Sequence, residues 1–156
     1  MGNRKSTRAK NVLGCLILIL IGLGCKPKEV SFIPLKQFDH VNTIMHNGKQ
    51  LVNKRSNYIV HNYKNSPRVI KLIDSVAFIE SDKSNQYEQY SVFFYKASKE
   101  TNIEHLKAYP RDFDRYSESR DLLYSYVWFR GNFTGSRKKY KNGELLNPDS
   151  SIRIEY

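Results

Sequence analysis

The sequence predicts an α+β fold, in which a mainly antiparallel curved sheet packs against one long amphipathic helix at about residues 67–81. The long stretch with helical periodicity lies there, between segments in which polar and apolar residues alternate. Helices do not alternate regularly with strands, so a doubly wound parallel sheet is disfavoured. The chain divides into a leader at 1–24, a tether at 25–37 and a single domain at 38–156, because prolines and charges keep residues 26–37 extended and solvated.

The domain is predicted to start with a hairpin. Residues 41–45 alternate roughly between apolar and polar, and residues 50–54 would be the returning strand. Between them, Asn47-Gly48 is a strong signal for a two-residue turn, because both residues accept a positive φ. Residues 58–63 combine aromatic and β-branched side chains and predict a further strand.

The predicted helix has a clear start. Ser66 can cap it, and Pro67 suits the first turn because its missing N–H needs no partner there. Apolar residues then recur every three or four positions, at Val69, Leu72, Ile73, Val76 and Ile79. This spacing predicts an apolar stripe, and covering a sheet is the commonest role of such a stripe.

Two strong strands follow the helix. Residues 86–96 carry apolar side chains on both faces, which indicates a central strand covered on both sides. Residues 101–108 predict a short helix that ends before Pro110, and residues 111–121 predict a polar loop. The second strand spans residues 121–134, with Gly131 or Gly135 at a turn or bulge. One predicted face of this strand carries Leu122, Tyr124, Tyr126 and Trp128, and the other carries Leu123, Val127 and Phe129.

The end of the chain predicts two more strands. Residues 137–141 are a short basic strand, and Asn142-Gly143 is a second turn signal. Residues 151–156 alternate and predict a closing strand.

Titratable residues give no metal or catalytic motif. The four histidines do not have the spacing of a zinc site, and no nucleophile elbow, P-loop or dinucleotide fingerprint occurs. The acids of the 111–121 loop can be interpreted as a calcium site or as the acid pair of a glycoside hydrolase, but interleaved arginines favour a self-paired, solvated loop. These acids are Asp112, Asp114, Glu118 and Asp121. The sequence therefore predicts a protein without cofactor or metal that is not an enzyme.

Two groups of residues are candidates for a binding surface. Tyr124, Tyr126 and Trp128 share one strand face and can form a wall for a sugar or a lipid, although core packing is the simpler explanation of these residues. Arg137, Lys138 and Lys139 lie on the basic strand and can contact a phosphate or a headgroup. The alternative for this second group is a charged edge that prevents aggregation.

The leader has the organisation of an export signal. Basic residues occupy its first ten positions without an acid, residues 12–24 are almost purely apolar, and Lys26-Pro27-Lys28 ends the run. The run is shorter than a spanning helix requires. The myristoylation pattern at Met1-Gly2 is an alternative, but it leaves the apolar run unexplained.

The end of the leader, Gly22-Leu23-Gly24-Cys25, resembles the lipobox of bacterial lipoprotein precursors. That family usually has Leu where this chain has Gly22. The resemblance implies a diacylglyceryl group on the Cys25 thiol, cleavage between Gly24 and Cys25, and an acylated, palmitate-type membrane anchor. An ordinary cleaved signal peptide with a chance cysteine is the simpler alternative.

The resemblance implies an exported protein that is anchored to a membrane by lipid, with a periplasm-facing domain preferred to a surface one. Removing residues 1–24 takes away four basic residues and no acidic one, which leaves 22 basic against 15 acidic residues. A basic anchored domain suits anionic lipid headgroups, and export argues against nucleic acid. The mature domain is similar in size and composition to many small envelope lipoproteins.

The expected role is a non-enzymatic binding module for an envelope protein or for anionic headgroups. A small-ligand carrier with an aromatic pocket in the sheet is one alternative. A hydrolase that uses the acids of the 111–121 loop is another. With Cys15 in the leader and Cys25 lipidated, no thiol remains for a disulfide, so the fold must rest on its apolar core.

Overall fold

A strand–helix–strand unit lies at the centre of the fold. Strand β3 (Lys49–His61) leads to helix α1 (Pro67–Ser81), and the chain returns along β4 (Gln89–Lys96), which pairs with β3 in parallel. This structure is a computed structural model that describes residues 28–133, 138–142 and 144–146. The other strand pairs in these residues are antiparallel, so the mainly antiparallel sheet is confirmed, while the parallel pair was not predicted.

The remaining strands are β1 (Ser31–Pro34), β2 (His40–His46), β5 (Leu122–Phe129), β6 (Asn132–Phe133), β7 (Lys138–Lys141) and β8 (Glu144–Leu146). Helix α2 spans Ile103–Ala108, a π-helix spans Phe113–Asp121, and 3₁₀ turns lie at Lys36–Phe38 and Ser84–Gln86. The eight strands of the described residues form one sheet. β1 and β2 pair with successive parts of β3 at one edge, β4 and β5 follow, β6 and β7 both pair with β5, and β8 forms the far edge.

The predicted turns are present. Asn47 and Gly48 have φ values of 50° and 73° and join β2 to β3 in a two-residue hairpin. Gly131, with a φ of 77°, lies at the corresponding turn between β5 and β6. Asn142 (φ 52°) lies between β7 and β8.

Strand β3 is continuous, whereas the sequence predicted two shorter strands. The polar run in its middle looks like a break, but tertiary hydrogen bonds satisfy the side chain at its buried end, Asn57. Asn57 is buried; its Nδ2 donates to the Phe38 carbonyl at 2.7 Å, and its Oδ1 accepts from the Tyr95 hydroxyl at 3.1 Å. Because these polar groups have partners, the strand runs through the core without a break.

Helix α1 occupies the predicted range and covers one face of the sheet, here called face A. Ser66 Oγ accepts from Val69 N at its start. A single row is buried against β3, β4 and β5, formed by Val69, Ile73 and Ala77. Leu72 and Ile79 remain 40% and 68% exposed, so the predicted stripe was too wide.

The opposite face, face B, is covered by α2 and by the π-helix. The prediction of a solvated loop at 111–121 is therefore wrong. Phe113 is buried between Phe38 (ring centroids 4.4 Å apart) and Tyr95 (5.3 Å), and Ser117 and Asp121 follow it on the same buried side. Because both faces have cover, β4 is the central strand that the sequence predicted.

One side chain of β5 lies on the other face from the one predicted. The register between β4 and β5 shifts at a bulge, where Phe94 pairs with Tyr124 but Tyr95 pairs with Leu122. Leu122 therefore packs on face B with α2, while Tyr124 packs on face A. A bulge inserts one extra residue and so reverses the alternation beyond it.

The predicted tether is too long, because part of it belongs to the sheet. From Ser31 onward the chain forms β1 and then the 3₁₀ turn, and Leu35 between them is fully buried. Leu35 N donates to the Asn57 carbonyl at 2.8 Å. Predictions for Gly24, Cys25 and Arg137, and for the strand at 151–156, concern positions that the structure does not describe.

Candidate functional site

An open cleft of about 690 Å³ lies at the end of the sheet where β3 and β4 finish and β5 begins. We call it the basic cleft. Its charged lining residues are Lys96, Glu100, Arg120, Asp121, Lys139 and Lys141. Two candidates that were separate in the sequence meet here, because the end of the predicted acidic loop and the basic strand line the same cleft.

Pairing of β7 with β5 brings the basic strand to the cleft. Tyr124 is the register partner of Lys139. Tyr140 packs against the face B core, and its hydroxyl lies 3.1 Å from Ser125 Oγ. Because side chains alternate along a strand, Lys139 and Lys141 are on the other side from Tyr140.

The carboxylate of Asp121 is fully engaged in this wall. Its Oδ2 accepts hydrogen bonds from the hydroxyls of Ser98 and Thr101, both at 2.7 Å, and Arg120 donates to both carboxylate oxygens, at 2.7 and 3.0 Å. Burial alone would raise the pKa of Asp121, but the bonds from Arg120, Ser98 and Thr101 outweigh it and hold the pKa below its ordinary value. Asp121 therefore stays ionised and is a poor general acid.

Arg120 is shared between two carboxylates. Besides Asp121 it donates to Glu100 Oε2 at 3.0 Å, and this bond lowers the pKa of Glu100. The hydrogen bond to Asp121 raises the pKa of the Arg120 guanidinium. Both acids of the cleft thus share one cation.

The lysines of the cleft have no such partner. Within residues 28–133, 138–142 and 144–146, no ion pair involves Lys96, Lys139 or Lys141. Lys96 and Lys141 are exposed, and Lys139 is half-buried. The cleft therefore keeps an excess of positive charge that is available to an anionic ligand.

The aromatic candidates lie in the core. Tyr124, Tyr126 and Trp128 are at most 2% exposed and pack beneath α1 on face A. The hydroxyl of Tyr126 donates to Asp74 of that helix. These three rings fill the interior and do not present a surface. Of the basic candidates, Lys139 lines the cleft, while only the backbone of Lys138 is described.

The loop acids have separate partners. Asp112 Oδ2 lies 2.8 Å from His105 Nε2, and Glu118 Oε1 lies 2.5 Å from Arg55 Nη2. Asp114 is exposed. Among the described residues, no group of three or more His, Cys, Asp or Glu side chains could hold a metal ion.

Sequence reasoning missed a second polar cleft, of about 220 Å³, at the end of α1. Glu80 is only 7% exposed there; its Oε2 accepts from the Tyr90 hydroxyl at 2.6 Å, and its Oε1 from Lys83 Nζ at 2.7 Å. Burial would raise the pKa of Glu80, but these bonds hold it below the ordinary value, whereas burial raises the pKa of nearby Asp39. The signal in the sequence was a glutamate on the buried row of an otherwise apolar helix.

Both carboxylates of the second cleft hold the fold together. Asp39 Oδ1 accepts from Asn57 N at 3.0 Å and fixes the start of β2, while Glu80 ties the end of α1 to β4. Because both oxygens of the buried Glu80 accept hydrogen bonds from protein donors, this carboxylate has a structural role.

No protein-family model matches the sequence, and searches of curated proteins and of solved structures give no significant match. In the part of the chain that the structure describes, no helix has the length and apolar character needed to cross a membrane.

Proposed function

We propose that the protein is a lipid-anchored envelope protein of the non-enzymatic binding class, and that its basic cleft takes the phosphate headgroups of the membrane that holds it. The observation that carries this proposal is the set of three lysines without ion-pair partners among the described residues, in an open cleft at one end of the sheet. The proposal that Cys25 carries a lipid rests on the resemblance of the leader to a lipobox.

The direction of the strands supports the headgroup as the ligand. Ser31 at the start of β1 pairs with His61 at the end of β3, and Val60 beside it pairs with Lys96. The chain therefore enters the sheet at the same end that carries the basic cleft. Ser31 is six positions after Cys25 in the sequence, and an extended chain of six steps spans about 20 Å at most. A lipid on Cys25 would thus hold the lysines close to the headgroups.

The two alternatives have less support. A carrier needs an empty aromatic pocket, but Tyr124, Tyr126 and Trp128 are packed beneath α1. A hydrolase that uses the 111–121 acids needs two carboxyl groups at one site, but Asp112, Glu118 and Asp121 have separate partners.

Titration with short-chain lipids tests the headgroup proposal. Dihexanoyl phosphatidylglycerol and dihexanoyl phosphatidylcholine are added, below their micelle concentrations, to detergent-purified protein, and binding is followed by NMR shifts. We expect the anionic lipid alone to bind. Replacing Lys96, Lys139 and Lys141 by Ala should weaken it more than 100-fold, since each well-placed lysine contributes about 1 kcal/mol.

A matched variant controls for the loss of charge. Lys36, Lys49 and Lys71 are also exposed but lie outside the basic cleft, and replacing them by Ala removes the same charge. Equal binding by both triple variants would refute the cleft as the site. The anchor is tested separately by the intact mass of membrane-extracted protein: an N-terminus downstream of Cys25 without lipid would end that part of the proposal.

A further inference from the structure

Four of the five side chains in one row across the sheet are carboxamides. In register, Asn42 of β2 pairs with Asn53 of β3, Asn53 with Gln89 of β4, Gln89 with Phe129 of β5, and Phe129 with Asn132 of β6. Register partners share a sheet face, so all five side chains are on face B. Neighbouring strands are about 4.8 Å apart, which makes the row about 19 Å long. We call it the amide row.

The amide row is open to solvent. The helices of face B pack near the other end of the strands, on Ile59 and Tyr95. Asn42 and Asn132 are exposed, and the ring of Phe129 is 47% exposed. A shallow pocket of about 170 Å³ lies over the first three strands of the row.

The row has unused hydrogen-bonding capacity. Asn53 lines this pocket, and its Oδ1 is buried without a hydrogen-bond partner among the described residues. Gln89 uses one donor, to Ser91 Oγ at 3.2 Å. A buried acceptor without a partner is unfavourable, so a ligand donor that reaches it after a rotation of the Asn53 side chain would gain affinity.

The two permanent cations of the pocket, Arg55 and Lys54, already have contacts within the protein. No carboxylate is among its described lining residues. Arg55 is there, but its guanidinium is held by Glu118 at 2.5 Å and covers the Phe93 ring at 3.9 Å. The Lys54 ammonium lies over the ring of Tyr87. The other groups that line the pocket are His40, the carboxamides and the Ser91 hydroxyl. The exposed ring of Phe129 lies outside this lining, as the register partner of Gln89.

We propose that the amide row is a binding site for a neutral saccharide chain. Sugar hydroxyls both donate and accept hydrogen bonds, and each carboxamide offers both functions, so a row of carboxamides matches a run of hydroxyl groups. The exposed ring of Phe129 provides an apolar platform for a sugar ring. The pocket is smaller than the roughly 300–1,000 Å³ of a drug-sized site, so it takes one ring while the chain extends along the row.

NMR titration of the full-length ¹⁵N-labelled protein tests this proposal, in a detergent without a sugar headgroup. The probes are neutral oligomers of glucose and of N-acetylglucosamine, with an oligomer of galacturonic acid as the charged comparison. We expect a neutral oligomer to shift the side-chain amide signals of Asn42, Asn53 and Gln89. The double variant Asn42→Ala with Gln89→Ala should bind about tenfold or more weakly, because two hydrogen bonds are lost.

Gln50→Ala is the matched control, since Gln50 is an exposed carboxamide of β3 on face A, and it should bind like the native protein. Phe129→Ala provides a second, independent loss of binding without touching the amides. The proposal is overturned if neither neutral oligomer shifts these signals, or if the double variant binds as tightly as Gln50→Ala. It is also overturned if only the galacturonic acid oligomer binds and the shifts appear at the basic cleft.

Discussion

Replacing Asp121 by Asn should destabilise the protein strongly at neutral pH. Asp121 is 7% exposed and accepts hydrogen bonds from Ser98, Thr101 and Arg120. Asn keeps one acceptor but turns an amide N–H₂ towards donors. Arg120 is 41% exposed, and in the variant water would solvate its guanidinium, so the lost bond from Arg120 contributes little to the destabilisation. The remaining loss of buried, charge-assisted bonds is about 2–4 kcal/mol in the free energy of unfolding.

The effect should depend on pH in a defined direction. The pKa of Asp121 in the folded protein lies below the ordinary value of 3.8. The ionised carboxylate therefore contributes its full stabilisation above pH 3.8, and the contribution falls as pH decreases through the folded pKa. The difference in unfolding free energy between native protein and Asp121→Asn should be largest near pH 7 and should shrink below pH 3.8.

Urea unfolding at several pH values measures this difference. Asp114→Asn is the control, because Asp114 is an exposed acid of the same π-helix and its loss should change stability by less than about 0.5 kcal/mol. Equal stability of the two variants at pH 7 would refute the reasoning. So would a difference that grows as the pH falls.

Three further changes test the packing, each by thermal or urea unfolding. Ile73→Ala should lower the free energy of unfolding by about 2–5 kcal/mol, because Ile73 is fully buried. Ile79 is 68% exposed, so Ile79→Ala should lower it by less than about 0.5 kcal/mol. Equal losses would contradict the narrow buried row of α1. Leu35→Ala should lower the free energy of unfolding by about 2–4 kcal/mol, because Leu35 is fully buried. An unchanged stability would indicate that this segment is part of a solvated tether and not of the fold. Replacing Gly48 or Gly131 by Ala should lower the free energy of unfolding by about 1 kcal/mol, because both residues have a positive φ. Gly131→Ala should lose more, because an added Cβ there would meet the Asn85 side chain.

Local signals in the sequence predicted those elements whose causes are local. The start of α1 follows from Ser66 and Pro67, and the first hairpin follows from Asn47-Gly48. The apolar run of β4 is visible in the sequence because both faces of the strand are buried. In each case neighbouring residues carry the information, so no knowledge of distant contacts is needed.

The elements that sequence reasoning missed depend on distant partners. The π-helix buries Ser117 and Asp121, whose polar groups are acceptable in the interior only because Thr101 and Ser98 contact them. The middle of β3 is similar, because Asn57 needs Phe38 and Tyr95. A polar residue looks like a loop residue until its partner is known, and the partner lies elsewhere in the chain.

The candidate sites follow the same division. Lysines on the basic strand were visible in the sequence, but their meeting with Arg120 and Asp121 depends on the pairing of β5 with β7. The amide row could not be found from sequence at all. Its members are on five strands, and one residue of register shift in any pair would turn a side chain to the other face.

The two proposed surfaces occupy opposite ends of the strands, and this arrangement links them. Gln89 in the amide row and Lys96 in the basic cleft both belong to β4, seven residues apart, which is a distance of about 23 Å along the strand. A lipid on Cys25 would draw the basic end to the membrane, because β1 enters the sheet there. The neutral amide row would then face away from the membrane, where a saccharide chain can reach it without passing the charged headgroups. Removing the lysines of the basic cleft should therefore leave saccharide binding unchanged, and removing the carboxamides should leave lipid binding unchanged. A loss of both activities in either variant would show that the two surfaces are not independent.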